Sequence, residues 1–338
     1  MKPHIFYFPF SSGVNKYSER IRAILGTIAD VSPLSLKDEC SNFLKFKKRM
    51  KGIAVINWVE NMLISNHDGS FSIAGLLKLF FAILVLKVRF EKVIYIQHNL
   101  YPHDAKDSDI IKIKWAINIL TKVVDVTAAH SPHLKNKIYV PHPLYHSPMI
   151  TQVGYRHFVS EDAPYLIFGR IERYKKIESV IALFPENKRL VIAGSCSDQE
   201  YLKYLTELIK NKPNIQLIAR FLTDEEVDKI IASCSALIIS HADPDMIVSG
   251  SFFYSITKQL PILAVSSPFL SWVESQLSDN VIKIFNNIDE MAKYLCESSY
   301  ADESIRKFDQ DDINKINDMF GDKAVTSAFK LILASIID

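Results

Sequence analysis

The stretch "APYLIFGRIERYKKIESVIALFPENKRLVIAG", residues 163–194, decides the fold class of this chain. An apolar run that ends at Gly169 is followed by a charged turn and by a segment with helical spacing, and a second apolar run ends at Gly194. Uninterrupted apolar strands are typical of parallel sheets that helices cover on both faces. The stretch therefore predicts a strand–helix–strand unit of an α/β sheet.

The same alternation runs through both halves of the chain, with a polar gap at residues 154–162. A chain of 338 residues exceeds one ordinary hydrophobic core. We therefore predict an α/β fold of two doubly wound, Rossmann-like domains facing a cleft. The first domain covers residues 1–153 and the second residues 154–310, and residues 311–338 form C-terminal helices, the last of which is expected to pack back on the first domain.

Composition excludes several classes of function. The 40 Lys and Arg residues nearly balance the 38 Asp and Glu residues, so no overall charge attracts nucleic acid. The four cysteines show no CxxC spacing and the chain has no HExxH motif, which predicts neither a metal site nor a disulfide framework and fits a reducing cytosol. The N-terminal "MKPHIFYFPF" lacks the features of a signal peptide and predicts a first strand.

Polar residues after the strands of the second domain predict an anion site. Arg170 directly follows a strand and Lys175 lies at the entrance of the next helix, so a planar and a point-like cation can converge on a diphosphate. A glycine at a strand end, such as Gly194, admits a ligand or another backbone. The turn at residues 249–251 opens a helix, whose first amides attract anions. A solvated basic loop and a tight strand exit are the alternative interpretations.

Polar residues of the first domain predict a second site. His98 ends the strand in "VIYIQH", and His103 and Asp104 follow in the loop. A histidine beside an aspartate can accept a proton or bind a sugar hydroxyl, although a lone histidine at a strand end is often structural. Gly13 lies between the first strand and helix, in a loop that can admit an acceptor, and Glu19 follows in that helix.

Two segments are candidates for contact with a membrane. Residues 72–90, "SIAGLLKLFFAILVLKVRF", are strongly apolar but contain Lys78 and Lys87 and fall short of the ~20 residues that a span needs. We expect a buried or membrane-touching helix. The segment "FLKFKKRMKG", residues 43–52, interleaves basic and aromatic residues and predicts a membrane-surface patch, an RNA-contacting patch or a charged helix face.

The order of these motifs resembles that of GT-B glycosyltransferases. "YIQHNLYPHD", "HSPHLKNKIYVPHPLY", "LIFGRIERYKK", "VIAGS" and "SGSFFYSITKQLPILA" follow one another as in exopolysaccharide and O-antigen enzymes related to the group-1 transferases, including xanthan-type β-mannosyltransferases. The resemblance spans roughly residues 90–265. It implies a nucleotide-sugar donor, UDP- or GDP-linked, held by the second domain.

The resemblance also implies roles for individual residues. Arg170 and Lys175 correspond to the family's diphosphate-binding cations, and His98, His103 and Asp104 to the polar residues near the transferred sugar. Further donor-binding positions are the amide-bearing turn, the loop that frames the nucleobase, and nearby small or acidic residues: Ser249, Gly250, Ser251, Arg220, Phe221, Leu222, Gly194 and Asp243.

One departure from the family's pattern bears on mechanism. Many retaining members carry two glutamates eight residues apart, and the corresponding positions here are Met246 and Tyr254. This favours an inverting mechanism in which Asp104 or His103 deprotonates the acceptor, with Glu19 as a further candidate. No metal and no other cofactor is required, because cations and a helix N-terminus neutralise the leaving diphosphate.

We therefore expect a hexosyltransferase that extends a lipid-linked surface polysaccharide. Its expected partners are a nucleotide sugar, a polyprenyl-diphosphate-linked saccharide acceptor and the inner face of the cell membrane, with no nucleic acid partner. The expected location is cytoplasmic and peripheral on that membrane. Two alternatives are a non-catalytic module of the same fold that binds nucleotide sugars or nucleic acid, and a GT-B nucleotide-sugar epimerase.

Overall fold

The structure, a computed structural model, describes residues 2–11, 16–145, 162–241, 247–298 and 308–337. The chain divides into two compact units. The first comprises Met1–Tyr145, Asp245–Val248 and Phe320–Asp338, and the second comprises His146–Pro244 and Ser249–Met319. The predicted boundary between residues 153 and 154 lies outside the described residues, as do Gly13, Asp243 and Met246.

The first unit is built on a parallel sheet in the order β2-β1-β3-β4-β5-β6. Ile5 of β1 lies opposite Val31 of β2 on one side and Ile53 of β3 on the other. Strand order reverses around β1, and such a switch point is where open α/β sheets bind ligands, beyond the carboxyl ends of the strands. The strands are β1 (His4–Phe8), β2 (Asp30–Pro33), β3 (Ile53–Asn57), β4 (Lys92–Gln97), β5 (Val126–Ala129) and β6 (Ile138–Tyr139).

Helices cover both faces of this sheet. All five residues of β3 are buried, as the apolar run that precedes Asn57 predicts. One face packs against α1 and the other against α3 and α4, which contribute Leu79 and Ile117 to its core. The helices are α1 (Tyr17–Leu25), α2 (Leu36–Leu44), α3 (Ile73–Arg89) and α4 (Ile110–Val123).

The second unit has a parallel sheet in the order β12-β11-β10-β7-β8-β9. Its switch point lies between β7 and β10, where Leu166 pairs with Leu237. The strands are β7 (Tyr165–Phe168), β8 (Leu190–Ala193), β9 (Ile215–Ile218), β10 (Leu237–Ile239), β11 (Ile262–Val265) and β12 (Ile282–Phe285). The helices are α5 (Ile177–Leu183), α6 (Gln199–Ile209), α7 (Asp224–Ser233), α8 (Gly250–Thr257), α9 (Pro268–Glu274), α10 (Ile288–Glu297) and α11 (Gln310–Phe320).

The last helix, α12 (Asp322–Ile337), belongs to the first unit. Val325, Phe329 and Ile332 are fully buried in the core that β1 and α1 also form, and Arg20 pairs with Asp322 at 2.5 Å. Among the helices that the structure describes, none is long and apolar enough to cross a membrane. The prediction of two Rossmann-like α/β units is confirmed.

Candidate functional site

Two polar side chains meet at the carboxyl end of β7. Nζ of Lys175 and Oγ of Ser251 donate to the carbonyl oxygen of Phe168, at 3.3 Å and 2.7 Å. A Cβ placed on Gly169 would lie 3.1 Å from both donor atoms. An ammonium, a hydroxyl and a side-chain-free backbone position therefore converge at the switch point of the second unit.

The backbone around Lys175 is held from two neighbouring strands. A 3₁₀ turn, Arg173–Lys175, follows β7, and Lys176 adopts a left-handed conformation (φ 52°) that starts α5. Oγ of Ser240, directly after β10, donates to the Lys175 carbonyl. This turn leaves Lys175 only 7% exposed. The buried turn and the Phe168 carbonyl therefore hold the ammonium in one position.

Burial changes the acid–base behaviour of this lysine. Loss of hydration lowers the pKa of Lys175 to about 8, against an opposing effect of Glu172 and with a smaller contribution from Arg170. A buried ammonium is unfavourable unless an anion compensates it. A bound anion would supply this compensation, so the turn is suited to a phosphate group.

The other predicted phosphate ligands surround this turn in different ways. Arg170 is 56% exposed in its side chain, with Nε 3.3 Å from Oε1 of Glu172. Ser249 caps α8 and accepts from the Phe252 amide at 3.4 Å, so Gly250 opens the helix. The N-terminal dipole of this helix favours an anion.

Gly194 has a packing role at this edge of the sheet. Its φ is 149°, and a Cβ there would lie 2.0 Å from the Gly169 carbonyl oxygen. No side chain fits in that space. Gly194 therefore lets the ends of β7 and β8 lie against each other. This contact is the close approach of another backbone that a glycine at a strand end permits.

The loop predicted to frame a nucleobase presents one exposed ring. Arg220 forms a two-pronged ion pair with Glu226, 2.6 Å between Nη2 and Oε1, and this interaction holds the pKa of Glu226 below its usual range. Leu222 is buried, whereas Phe221 is 60% exposed. Phe221 is thus the residue of this loop whose side chain is available for stacking.

A buried cluster of rings lies at the carboxyl edge of the first sheet. The ring of His98 lies 4.6 Å from that of His130, and the ring of His142 lies 5.1 Å from that of His130. The Tyr17 hydroxyl is 2.8 Å from Nε2 of His130, and Trp58 stacks on His98. Tyr17, Trp58, His130 and His142 were not among the predicted site residues, although "AAH" and "PHP" in the sequence place two of them after apolar runs.

These histidines are kept neutral by burial. Loss of hydration lowers the pKa of His130 to about 4 and lowers the pKa of His98 and of His142 well below the usual range. Within the described residues, Nε2 of His98 has no hydrogen-bond partner. A buried polar atom of this kind is expected to meet water or a ligand.

A buried carboxyl supports the chain next to His98. Glu60 follows β3 in the 3₁₀ helix Val59–Leu63 and accepts from the Tyr95 hydroxyl at 2.8 Å and from the Asn99 amide. Burial raises the pKa of Glu60 to about 7. Its Oε1 has no partner among the described residues. Because Asn99 adjoins His98, Glu60 fixes the backbone that carries this histidine.

The remaining candidates of the first unit lie on its surface. His103 and Asp104 are exposed in the loop after β4, and Glu19 is exposed on α1. The loop packs against Gly69 (φ 68°), where a Cβ would lie 1.9 Å from the Asp104 carbonyl oxygen, and the Lys106 amide donates to the Gly69 carbonyl at 2.9 Å. His103 is close enough to His98 to affect its pKa. No group of side chains in the described part of the chain is arranged to hold a metal ion.

Two all-parallel Rossmann-like units in one chain are the architecture of the GT-B fold. Solved structures of that fold are similar to this chain over nearly its whole length. HepE from Anabaena in complex with UDP-glucose is 11% identical, with a TM-score of 0.65 over 98% of this chain and 100% of that one. The lipopolysaccharide outer core galactosyltransferase WaaB is 14% identical, with a TM-score of 0.61 over 99% of each chain.

Sucrose-phosphate synthase from Thermosynechococcus elongatus is 10% identical, with a TM-score of 0.63 over 99% of each chain. Similarity at these identities establishes the fold. No protein-family model and no curated protein sequence matches the chain. Activity must therefore be argued from the site.

Proposed function

We propose that this chain is a hexosyltransferase that moves a sugar from a nucleotide-diphosphate sugar to a lipid-linked oligosaccharide or another saccharide in surface polysaccharide synthesis. The observation that carries the proposal is the buried Lys175 ammonium beside Ser251 and Gly169, at the switch point of a GT-B fold unit. The HepE structures contain UDP or UDP-glucose, which favours a uridine nucleotide as the first donor to test.

In this proposal the second unit binds the donor. Lys175, Arg170 and the N-terminus of α8 neutralise the diphosphate as it leaves, without a metal ion. The exposed ring of Phe221 stacks on the base. These groups stabilise charge that increases in the transition state, so they accelerate the reaction as well as bind the donor.

The first unit supplies the base. Asp104 accepts the proton of the acceptor hydroxyl while that oxygen forms a bond to C1 of the sugar and the bond from C1 to the diphosphate oxygen breaks. The products are the extended saccharide with inverted configuration, the nucleoside diphosphate and a protonated Asp104. His98 and His103 bind hydroxyls of the transferred sugar. The acceptor is a polyprenyl-diphosphate-linked saccharide at the inner face of the cell membrane.

Donor binding is tested by calorimetry with UDP, UDP-glucose and GDP-mannose on the full chain. Lys175→Ala and Arg170→Ala each remove a charge-assisted contact of ~1.5–3 kcal/mol, or roughly ten- to hundredfold in affinity. Lys176→Asn removes an adjacent exposed charge and keeps a residue that tolerates φ 52°, so its affinity should match that of the parent. Equal affinity in the parent and the three variants would show that Lys175 and Arg170 do not bind the donor.

Catalysis is tested on donor turnover in the presence of saccharide acceptors. Asp104→Asn should lose transfer and keep its affinity for UDP, because the amide cannot accept the proton. Asp107→Asn is the matched control, since Asp107 is an exposed acid three residues further along. Full activity in Asp104→Asn would exclude this residue as the base while leaving the donor site intact.

A further inference from the structure

The outer side of α3 exposes large apolar side chains. Their exposed fractions range from 41% to 68%, and their spacing of three or four residues places them on one side of the helix. At 1.5 Å per residue the stripe is ~22 Å long. Its members are Ile73, Leu77, Phe81, Leu84 and Val88.

Neighbouring elements extend this stripe on both sides. The end of α2 and the turn after it present Leu44 and Phe46, which are 66% and 95% exposed. Phe43 of α2 contacts Phe81 with ring centroids 6.3 Å apart. On α4, Ile111 is 82% and Trp115 59% exposed. α2 and α4 both contact α3, and α3 and α4 pack on the same side of the sheet. A contiguous apolar surface of this kind marks an interaction site.

Basic residues dominate the charge of this surface, and two acids at its edge, Asp109 and Asp125, pair with Lys112 and Lys87 at 2.7 Å and 2.8 Å. The sequences of α3, of α4 and of residues 43–52 contain Lys and Arg but neither Asp nor Glu. Its exposed lysines include Lys45, Lys47, Lys48, Lys51 and Lys78. Apolar side chains with a surrounding of lysines and an aromatic residue are the pattern of interfacial membrane binding.

We propose that this surface, formed by the turn after α2 and the outer sides of α3 and α4 and here called the basic-apolar face, docks on an anionic phospholipid bilayer. The apolar side chains enter the boundary between headgroups and acyl chains, while the lysines contact lipid phosphates. A second copy of the chain is the less suitable occupant. A two-fold interface would place the lysines of one basic-apolar face against those of the other, and α3, α4 and residues 43–52 contain no acid to pair them.

Binding to vesicles measures this directly. The full chain is sedimented with vesicles of phosphatidylglycerol and phosphatidylcholine, or of phosphatidylcholine alone. We expect binding to the anionic vesicles that weakens as salt is added. The variant Phe46→Asn/Leu77→Gln/Leu84→Gln should bind at least about tenfold more weakly, because each removed side chain loses its transfer into the bilayer. Asn tolerates the left-handed backbone of Phe46 (φ 53°), and Gln preserves helix propensity, so folding is retained.

Two controls distinguish binding through this surface from nonspecific adsorption to the vesicles. Leu331→Gln changes an apolar side chain that is 71% exposed on α12 and should bind vesicles like the parent. Lys47→Gln/Lys48→Gln should bind about tenfold more weakly. Lys203→Gln/Lys210→Gln, on α6 and directly after it, should bind vesicles like the parent.

Several outcomes would overturn the proposal. They are failure of the parent chain to bind anionic vesicles, equal binding by the triple variant and the Leu331→Gln control, and a parent dimer in sedimentation velocity that the triple variant lacks. Affinity for UDP is measured on the same proteins. Loss of vesicle binding with unchanged UDP affinity supports the proposal whether or not the proposed transferase activity is correct.

Discussion

Binding of UDP should depend on pH through Lys175. The ammonium is 7% exposed and its pKa is lowered to about 8, so it is about 90% protonated at pH 7 and about 10% at pH 9. A bound diphosphate favours the protonated form and raises this pKa again. The terminal phosphate of UDP, with a second pKa of about 6, is already about 90% ionised at pH 7, so its own titration changes the affinity little over this range.

These values predict a specific magnitude. If the protonated lysine is the form that binds, affinity falls about tenfold between pH 7 and pH 9, which is about 1.4 kcal/mol. A solvated lysine with a pKa of about 10.4 would give almost no change over this interval. At pH 8, binding should take up about half a proton, which calorimetry in buffers of different ionisation enthalpy measures.

Lys175→Met separates the role of the charge from its cost to the fold. The variant should lose the pH dependence together with most of its affinity. Its unfolding free energy without ligand should increase at pH 7 by as much as about 3 kcal/mol, because the unfolded chain binds the proton of Lys175 more tightly than the folded chain does. In the parent, this destabilisation decreases as pH rises from 8 to 10.5.

The reasoning is refuted by an affinity for UDP that is flat from pH 7 to pH 9. It is equally refuted if Lys175→Met retains the parent's pH dependence. Lys176→Asn is the control, since it removes a neighbouring exposed charge and should behave like the parent.

Further predictions concern the histidine cluster, its supporting carboxyl and the exposed ring. The folded pKa of His130 is about 4, below its unfolded value of about 6.5, so the unfolded chain takes up the proton first as the pH falls. The free energy of unfolding should therefore decrease by about 2 kcal/mol between pH 7 and pH 5 because of this residue. His130→Gln should lack this decrease, which urea unfolding at the two pH values measures. Glu60 should have the opposite effect, because its folded pKa of about 7 lies above that of the unfolded chain. As pH rises from 5 to 8, the free energy of unfolding of the parent should decrease by about 2–3 kcal/mol relative to that of Glu60→Gln. The same pH dependence of stability in both proteins would contradict this. Phe221→Ala should weaken binding of both UDP and uridine by ~1–3 kcal/mol with an unchanged melting temperature, and equal affinities would exclude stacking.

Most strands were predictable from their apolar runs, and β2 shows where that signal ends. Strands such as β3 and β10 are buried along their whole length, so hydrophobicity alone marks them. β2 is the four-residue edge strand Asp30–Pro33, with two exposed and two half-buried residues. Its position is determined by pairing with β1 and not by an apolar pattern, so its sequence does not identify it as a strand.

The site was predictable only as far as strand ends indicate it. Arg170 and Lys175 follow a strand in the sequence, and the structure places both after the carboxyl end of β7. The burial of Lys175 was not predictable, because it requires the adjacency of β7 and β10, which brings Ser240, directly after β10, to the Lys175 carbonyl. The histidine cluster likewise requires the adjacency of β4, β5 and β6, which brings His98 and His130 together from separate segments.

The tyrosine at position 254, where a glutamate was expected, lies beside a carboxylate in the folded chain. The sequence shows Tyr254 where many retaining transferases carry a glutamate, which favours an altered mechanism. In the structure, the Tyr254 hydroxyl donates to Oδ1 of Asp228 at 3.3 Å, and Lys258 pairs with Oδ2 at 2.8 Å. A carboxylate is therefore present at this turn of α8, supplied by α7. The absence of an acid at position 254 therefore describes only the sequence of α8, because the fold brings the carboxylate of Asp228 to Tyr254 from a different helix.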